Sequence, residues 1–325
     1  MLLYKMVTML IATLCLAIVV NAKVDKQEWW TAKHFAKNKM FPMAAGAYAD
    51  TPMMQRCIRK VDKDAINLNG FLSAKCRFDE MCYVFTAVLP NHRAIVISFR
   101  GTDSGKSQLI DEALGNALFK HEWKYGGHVG RYFKMAFDNL WNSLAIQLTS
   151  FLQVQKYRRY ELWITGHSLG GALANLAASW ASVVFPNNRI RLVTFGAPRV
   201  GDLKFRDALE RRVKFIYRIT HASDPVVRIP WSGYYHAGKE LWYKKGMSST
   251  TGFCHGKGNG DCIETCEAPE ELNGRPAGCA ESAGWKNFIS WSFRAKLKEL
   301  YHYHTEYYQD LTKNSLSKWG ELGCP

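Results

Sequence analysis

Ser168 lies in the pattern Gly-x-Ser-x-Gly, with Gly166 and Gly170 two residues away on either side. The residues before it form a strand-like run, and apolar residues recur at helical spacing after it. A sharp strand-to-helix turn strains the serine backbone and lifts its hydroxyl above a sheet, and the two glycines prevent a collision between strand and helix. The helix N-terminus adds partial positive charge where an oxyanion would form. This context predicts that Ser168 is the nucleophile of an acyl-transfer reaction.

Such a serine needs a histidine base and an acid that orients the base, because a hydroxyl at its ordinary pKa is a poor nucleophile. In hydrolases built around this turn, the acid and then the histidine follow the serine along the chain. Asp224 fits this order and comes just after the strand-like run 214–219. Asp202 and Asp207 are alternatives, but they lie where a helix is expected to begin after Pro198. We therefore predict that Asp224 is the orienting acid.

Four histidines follow Asp224 and are candidates for the base: His236, His255, His302 and His304. His236 follows the Asp224 loop closely and His255 lies in a cysteine-rich segment, which makes both less suitable. His302 and His304 would share one face of an extended segment, so spacing alone does not separate them.

The elements that must position these residues are strands that alternate with helices. Short runs rich in β-branched and aromatic residues predict strands at 83–89, 94–99, 161–165, 191–195 and 214–219. Helical apolar spacing over 133–152, and from Ser168 to Pro186, predicts two helices. The alternation indicates an α/β fold with a mainly parallel central sheet and helices on both faces. No repeat or boundary divides the chain, so residues 23–325 are predicted to form one domain.

Residues 244–285 break this pattern with many glycines, no convincing period and four cysteines, at positions 254, 262, 266 and 279. They predict an irregular excursion held by disulfides. A zinc site built on these cysteines and His255 is the alternative, but the paired Cys-x-x-Cys spacing typical of zinc is missing. We predict neither a metal nor a cofactor.

The N-terminus predicts secretion, because Lys5, the apolar run 6–20 and small residues before position 23 are typical of a signal peptide over residues 1–22. Its removal would leave eight cysteines, an even number that fits an extracellular, oxidising compartment. Cys76 and Cys82 flank a short turn-like segment and are predicted to pair. The whole chain has a formal net charge of +15, which favours adsorption to anionic membrane surfaces, and it contains no nucleic-acid-binding motif.

Four motifs in order along the chain resemble those of the class 3, fungal-type, lipase family: SFRGT at 98–102, TGHSLGGALA at 165–174, TFGAPR at 194–199, and Asp224-Pro-Val. The resemblance covers roughly residues 80–310. It implies a secreted α/β-hydrolase that cleaves carboxylic esters of lipids. In this family a tyrosine and a second aromatic residue follow the base histidine, starting three residues on. His304-Thr-Glu-Tyr-Tyr fits and His302 does not, so the resemblance implies that His304 is the base.

The same resemblance implies an oxyanion hole formed by Thr102 and the backbone N–H of Leu169. It also implies a lid over residues 104–119, where apolar residues recur at helical spacing, although the tryptophan usual in the family's lid is missing there. A permanently packed surface helix is the alternative for this segment. A disulfide between Cys57 and Cys324 is implied as well, which would leave two bonds among the cysteines at 254–279.

We therefore expect a secreted serine lipase that hydrolyses acylglycerols at a lipid–water interface without a cofactor or an obligate protein partner. A phospholipase A1 or a general carboxylesterase with the same residues is the alternative of the same chemistry. A non-catalytic lipid-binding protein is the alternative of another class. The shape of the lid and of the pocket decides among these substrates.

Overall fold

The structure, a computed structural model, describes residues 27–77, 80–102, 119–230, 233–244, 247, 263–266, 302–310 and 324. Its main sheet has eight strands: β1 (Ile66–Arg77), β2 (Glu80–Leu89), β3 (Ala94–Phe99), β6 (Glu161–His167), β7 (Ile190–Phe195), β8 (Phe215–His221), β9 (Lys239–Tyr243) and β10 (Ile263–Cys266). Two short hairpins are formed by β4 (Lys120–Glu122) with β5 (His128–Gly130), and by β11 (Glu306–Tyr307) with β12 (Gln309–Asp310).

The strands of the main sheet lie in the spatial order β1-β2-β3-β6-β7-β8-β9-β10, and the pairs from β3 to β9 are all parallel. The pairs β1/β2, β2/β3 and β9/β10 are antiparallel. The sheet is therefore mainly parallel at its centre, as predicted. Because the carboxyl ends of parallel strands meet at one edge, the loops after β3, β6, β7 and β8 lie together there.

The helices are α1 (Phe41–Gly46), α2 (Thr51–Val61), α3 (Arg131–Gln153), α4 (Leu169–Val184), α5 (Leu203–Arg212) and the short α6 (His302–Thr305). A helical run from residue 27 includes the π-helical segment Ala36–Met40 and leads into α1. Asp50 begins α2 and Asp202 begins α5, since each carboxylate accepts a hydrogen bond from a backbone N–H three residues on.

Buried side chains alternate between two cores, one on each face of the sheet. Ile95, Ile97 and Phe99 of β3 pack with the apolar sides of α3 and α4. Ala94 and Val96 pack on the other face, against the helical residues of the N-terminal segment. Period-two alternation along the strand produces this division. Helices on both faces are confirmed, but the covering of the second face by residues 27–61 is not foreseen by the sequence pattern.

All five predicted strands and both predicted helices are confirmed, with ends that differ by a few residues. Seven of the described strands have no counterpart among the predicted ones: β1, β9 and β10 in the main sheet, and β4, β5, β11 and β12 in the hairpins. For β10 this is a correction, because the segment 244–285 was expected to be irregular throughout. Four of its residues pair with β9, whose outer edge otherwise presents unpaired N–H and C=O groups. Of the rest of that segment only residues 244 and 247 are described, so the predicted disulfides and the zinc alternative lie outside the described residues.

Two predicted disulfides are confirmed. Cys76–Cys82 links the neighbouring strands β1 and β2, and Cys57–Cys324 ties the C-terminus to α2. The predicted signal peptide 1–22 lies outside the described residues, as does the predicted lid except for residue 119. No helix in the part of the chain that is described has the length and apolar character needed to cross a membrane.

Candidate active site

Ser168 occupies the turn between β6 and α4, with backbone angles φ 58° and ψ −128°. A positive φ is strained for a residue that carries a Cβ, and the turn is held by a 2.9 Å hydrogen bond from the Ser168 N–H to the Phe195 carbonyl. A Cβ on Gly166 would collide with the backbone of Gly170, and one on Gly170 would collide with Phe99. The glycine spacing therefore serves the close approach that the sequence pattern predicts.

The Ser168 hydroxyl is buried, and its oxygen has no hydrogen-bond partner among the described residues. The backbone N–H of Leu169 is the first of α4, and the first four N–H groups of a helix have no acceptor within the helix. The strained serine and the first N–H group of α4 thus lie together at the edge where the parallel strands end.

Asp224 follows β8 after a turn in which Ala222 has a φ of 42°. Its carboxylate is fully buried and is surrounded by hydrogen-bond donors. The backbone N–H of Val226 donates to Oδ1 at 2.8 Å, and the Tyr307 hydroxyl donates to Oδ2 at 2.6 Å. Nδ1 of His304 lies 3.1 and 3.0 Å from the two oxygens.

His304 is therefore the histidine that contacts Asp224. It is buried, whereas its competitor His302 is exposed. His236 is also buried, but its Nε2 bonds to the Val227 carbonyl at 2.7 Å. His255 lies outside the described residues. The choice between His302 and His304, which spacing left open and the family resemblance resolved, agrees with these contacts.

The electrostatics keep Asp224 ionised. Burial alone would raise the pKa of the carboxyl, but the His304 imidazole and the hydrogen bonds from His304, Tyr307 and Val226 outweigh burial and lower the pKa below its usual value. Burial and the adjacent Asp224 charge raise the pKa of Tyr307 well above its usual value, so this hydroxyl stays protonated as a donor. An ionised acid on Nδ1 leaves Nε2 as the ring nitrogen that can accept a proton.

Gly196 completes this cluster at the end of β7. A Cβ at this position would lie 2.9 Å from Asp224 Oδ2, 3.0 Å from the Tyr307 hydroxyl and 3.1 Å from His304 Nδ1, and the φ of 54° also disfavours a side chain. The sequence pattern predicts neither the lack of room for a side chain at Gly196 nor the hydrogen bond from Tyr307 to Asp224, because both depend on groups that are distant in sequence.

The loop after β3 runs alongside the turn at Ser168, since Phe99 is opposite Gly166 in the parallel register. The hydroxyl of Thr102 is buried and makes no hydrogen bond within the described part of the chain. Thr102, in the loop after β3, and Leu169, the first residue of α4, thus lie on neighbouring segments of the same sheet edge. Asp202, by contrast, accepts from the Phe205 N–H at 2.9 Å and serves as a helix cap, and Asp207 bonds to Arg206.

Potential metal ligands do not cluster in the described ranges: within them, no group of three or more His, Cys, Asp or Glu side chains is arranged to hold an ion.

The sequence of this chain is similar to those of known lipases. The family described as Lipase (class 3) matches residues 96–233. A lipase of Caenorhabditis elegans is 28% identical over 238 residues, which cover 64% of this chain and 65% of the relative. A secreted mono- and diacylglycerol lipase of Fusarium solani is 31% identical over 159 residues, which cover 47% of this chain and 45% of the relative. The chain thus spans about half to two thirds of the length of these relatives.

Solved structures share the fold at low sequence identity. Lipase II from Rhizopus niveus has a TM-score of 0.64 at 20% identity, over 86% of this chain and 94% of that one. The triacylglyceride lipase of Rhizomucor miehei has a TM-score of 0.60 at 19% identity, over 87% and 95%.

Proposed function

We propose that the chain, whose residues 96–233 match the model of the class 3 lipase family and whose fold is that of solved lipases, is a member of that family and hydrolyses carboxylic esters of acylglycerols. The observation that carries the proposal is the buried contact of His304 Nδ1 with the Asp224 carboxylate beside the strained turn of Ser168. A nucleophile, a base and an orienting acid are the groups that acyl transfer needs, and they come from three separate segments: the turn after β6, the short helix α6 and the loop after β8.

In the proposed mechanism, Ser168 Oγ attacks the ester carbonyl while His304 Nε2 takes the hydroxyl proton. The tetrahedral intermediate collapses when His304 returns this proton to the leaving alcohol, which produces an acyl-enzyme. A water molecule then attacks the acyl carbon, with His304 again as base, and releases the fatty acid and the Ser168 hydroxyl. Asp224 holds His304 in the tautomer that carries its proton on Nδ1 and stabilises the imidazolium that forms.

We assign the oxyanion hole to the Leu169 N–H and to Thr102. Supporting this, Leu169 is the first residue of α4 directly after Ser168, Thr102 lies in the neighbouring loop after β3, and the buried Thr102 hydroxyl has no hydrogen-bond partner among the described residues. Each such donor is worth about 2.7–4 kcal/mol of transition-state stabilisation.

The relatives support the choice of acylglycerols, because those from Fusarium solani and Penicillium cyclopium are named as secreted mono- and diacylglycerol lipases. We infer that this chain also forms one domain after removal of residues 1–22 and acts outside the cell at a lipid–water interface. Its formal net charge of +15 favours adsorption to anionic lipid.

The test compares wild type with Ser168→Ala on emulsions of mono-, di- and triacylglycerols, on phospholipid vesicles and on a soluble short-chain ester. Hydrolysis of an acylglycerol emulsion by wild type, lost in the variant, supports the proposal. Release of fatty acid from phospholipid alone would favour a phospholipase A1, and activity on the soluble ester alone would favour a carboxylesterase. Wild type that hydrolyses none of them, and that a fluorophosphonate does not label at Ser168, would contradict the proposed chemistry.

A further inference from the structure

His167, the residue just before Ser168, is buried and has both ring nitrogens in hydrogen bonds. Its Nδ1 lies 2.7 Å from the hydroxyl of Tyr48, and its Nε2 lies 2.8 Å from the backbone carbonyl of His304. The Tyr48 oxygen is also 3.1 Å from the backbone N–H of Gly101. None of the steps of ester hydrolysis uses Tyr48 or the His167 side chain.

These three hydrogen bonds form a series that runs from the Gly101 N–H through Tyr48 and His167 to the His304 carbonyl. The groups at its two ends fix the direction of each bond. The His304 carbonyl can only accept, so His167 Nε2 carries the proton and Nδ1 is the acceptor. Nδ1 therefore accepts from the Tyr48 hydroxyl, whose oxygen in turn accepts from the Gly101 N–H. Burial and the neighbouring His304 lower the pKa of His167 to about 3, so the ring is neutral at ordinary pH and this pattern persists.

The series ends at two parts of the site, the oxyanion loop and the base, and catalysis requires a fixed distance between them. Gly101 directly precedes Thr102 in the proposed oxyanion loop, and the other end is the backbone of the proposed base, His304. The rings of His167 and His304 are also 4.7 Å apart, so packing reinforces the hydrogen bonds.

The loop and the base have no continuous secondary structure in common. Gly101 follows β3, whereas His304 lies in the four-residue α6. A short helix has little stability of its own, so contacts to the rest of the fold must hold it. The Gly101 position is crowded as well, because a Cβ there would collide with the Tyr48 hydroxyl and lie 3.1 Å from Ser168 Cβ.

We propose that Tyr48 and His167 are positioning residues that fix the oxyanion loop relative to the histidine base through one series of buried hydrogen bonds. The inference rests on the proposed function. The histidine of the Gly-His-Ser-Leu-Gly turn and a tyrosine 120 residues before the nucleophile thus act on the geometry of the site. Neither side chain touches the reacting atoms in this scheme.

The variants for the test are Tyr48→Phe, His167→Phe and His167→Gln. Phenylalanine keeps ring volume but removes the polar atoms, whereas glutamine retains one donor and one acceptor. A displacement of about 1 Å at a reacting group costs about 100-fold in rate, so we expect Tyr48→Phe and His167→Phe each to lower kcat by about 10- to 100-fold. KM should change little, since substrate binding is not altered. The matched control is Tyr160→Phe, another buried tyrosine, which lies in the core beside α3.

Three results are expected if the residues act as a unit. The double variant Tyr48→Phe/His167→Phe loses no more kcat than the worse single variant, because breaking either link breaks the series. His167→Gln retains more kcat than His167→Phe. The rate of Ser168 phosphonylation by a fluorophosphonate, which uses the same base and oxyanion donors, falls in parallel with kcat, while Tyr160→Phe matches wild type. Thermal unfolding identifies any variant that fails to fold, and His167→Gln then replaces it.

Several outcomes would overturn the inference. A Tyr48→Phe enzyme with wild-type kcat and phosphonylation rate would show that the hydroxyl positions nothing, while loss of activity in Ser168→Ala would leave the proposed function intact. Additive losses in the double variant, or equal losses in His167→Gln and His167→Phe, would indicate only general packing. Wild type without ester hydrolysis and without phosphonylation would contradict both proposals together.

Discussion

Replacement of Asp224 by Asn tests the proposed acid most sharply, because the change keeps the size of the side chain and removes only its charge and one acceptor. In the structure one oxygen takes the Val226 N–H at 2.8 Å, and the other takes the Tyr307 hydroxyl at 2.6 Å. An asparagine that keeps its carbonyl toward Val226 must therefore direct its NH2 group toward Tyr307 and His304. The opposite orientation would set the NH2 group against the Val226 N–H.

The preferred orientation places an N–H donor at the position from which a carboxylate oxygen now accepts from His304 Nδ1 at 3.0 Å, and it leaves the carbonyl oxygen 3.1 Å from Nδ1. The amide N–H cannot accept from Nδ1–H, and the carbonyl oxygen already accepts the Val226 N–H, so the change favours the tautomer with its proton on Nε2. In that tautomer Nε2 can no longer accept the Ser168 proton. The wrong tautomer in a serine triad lowers kcat by about 10⁴-fold. This factor corresponds to about 5 kcal/mol of lost transition-state stabilisation.

The assay is kcat on an acylglycerol emulsion and on a soluble ester, with thermal unfolding to verify the fold. Asp202→Asn is the matched control, since Asp202 accepts the Phe205 N–H at a helix start and asparagine caps helices equally well. It should retain wild-type kcat. If Asp224→Asn keeps activity to within about tenfold, another acid orients the histidine and the assignment is wrong.

Three further perturbations follow from the same geometry. Gly196→Ala should abolish activity, because its Cβ would lie 2.9–3.1 Å from three polar atoms around Asp224. Gly70→Ala is the control, since Gly70 also has a positive φ but its Cβ would have no atom within 4 Å. Measurements of kcat and thermal unfolding on both variants separate crowding from backbone strain. If the Thr102 hydroxyl donates to the oxyanion, Thr102→Val should lower kcat by about 100- to 1,000-fold and Thr102→Ser should largely preserve it. Equal initial velocities for Thr102→Val and Thr102→Ser would exclude that role. The folded-state pKa of Asp224 is lowered, so its contribution to stability is present above the unfolded pKa and is lost as the pH falls through the folded pKa. Tyr307→Phe removes a hydrogen bond that lowers this pKa, so acid unfolding followed by fluorescence should begin at a higher pH than in wild type.

The disulfides and the strand β1 show which features a sequence pattern predicts and which it does not. Cys76 and Cys82 are close enough in sequence for their pairing to be predicted from a turn, whereas Cys57 and Cys324 are 267 residues apart and their pairing followed only from family resemblance. β1 was missed because it begins with alternating asparagines and a glycine, which weaken the strand pattern at the sheet edge.

The sequence by itself determined the elements that depend on interactions between residues close together along the chain. The strand, the glycine-flanked serine and the following helix are set by steric demands within ten residues, and the apolar runs of β3, β6, β7 and β8 fix the parallel centre of the sheet. The candidate residues Ser168 and Asp224 follow from this, since each lies within three residues of the end of such a strand.

Tertiary structure decided which distant groups meet. The hydrogen bonds of the Asp224 carboxylate to His304 and Tyr307, the narrow space at Gly196, and the series from Gly101 through Tyr48 and His167 all join segments that are far apart in sequence. Their strength depends on burial, because a hydrogen bond or charge counts for much more where water is excluded. Burial is a property of the packed fold, and no spacing within one segment specifies it.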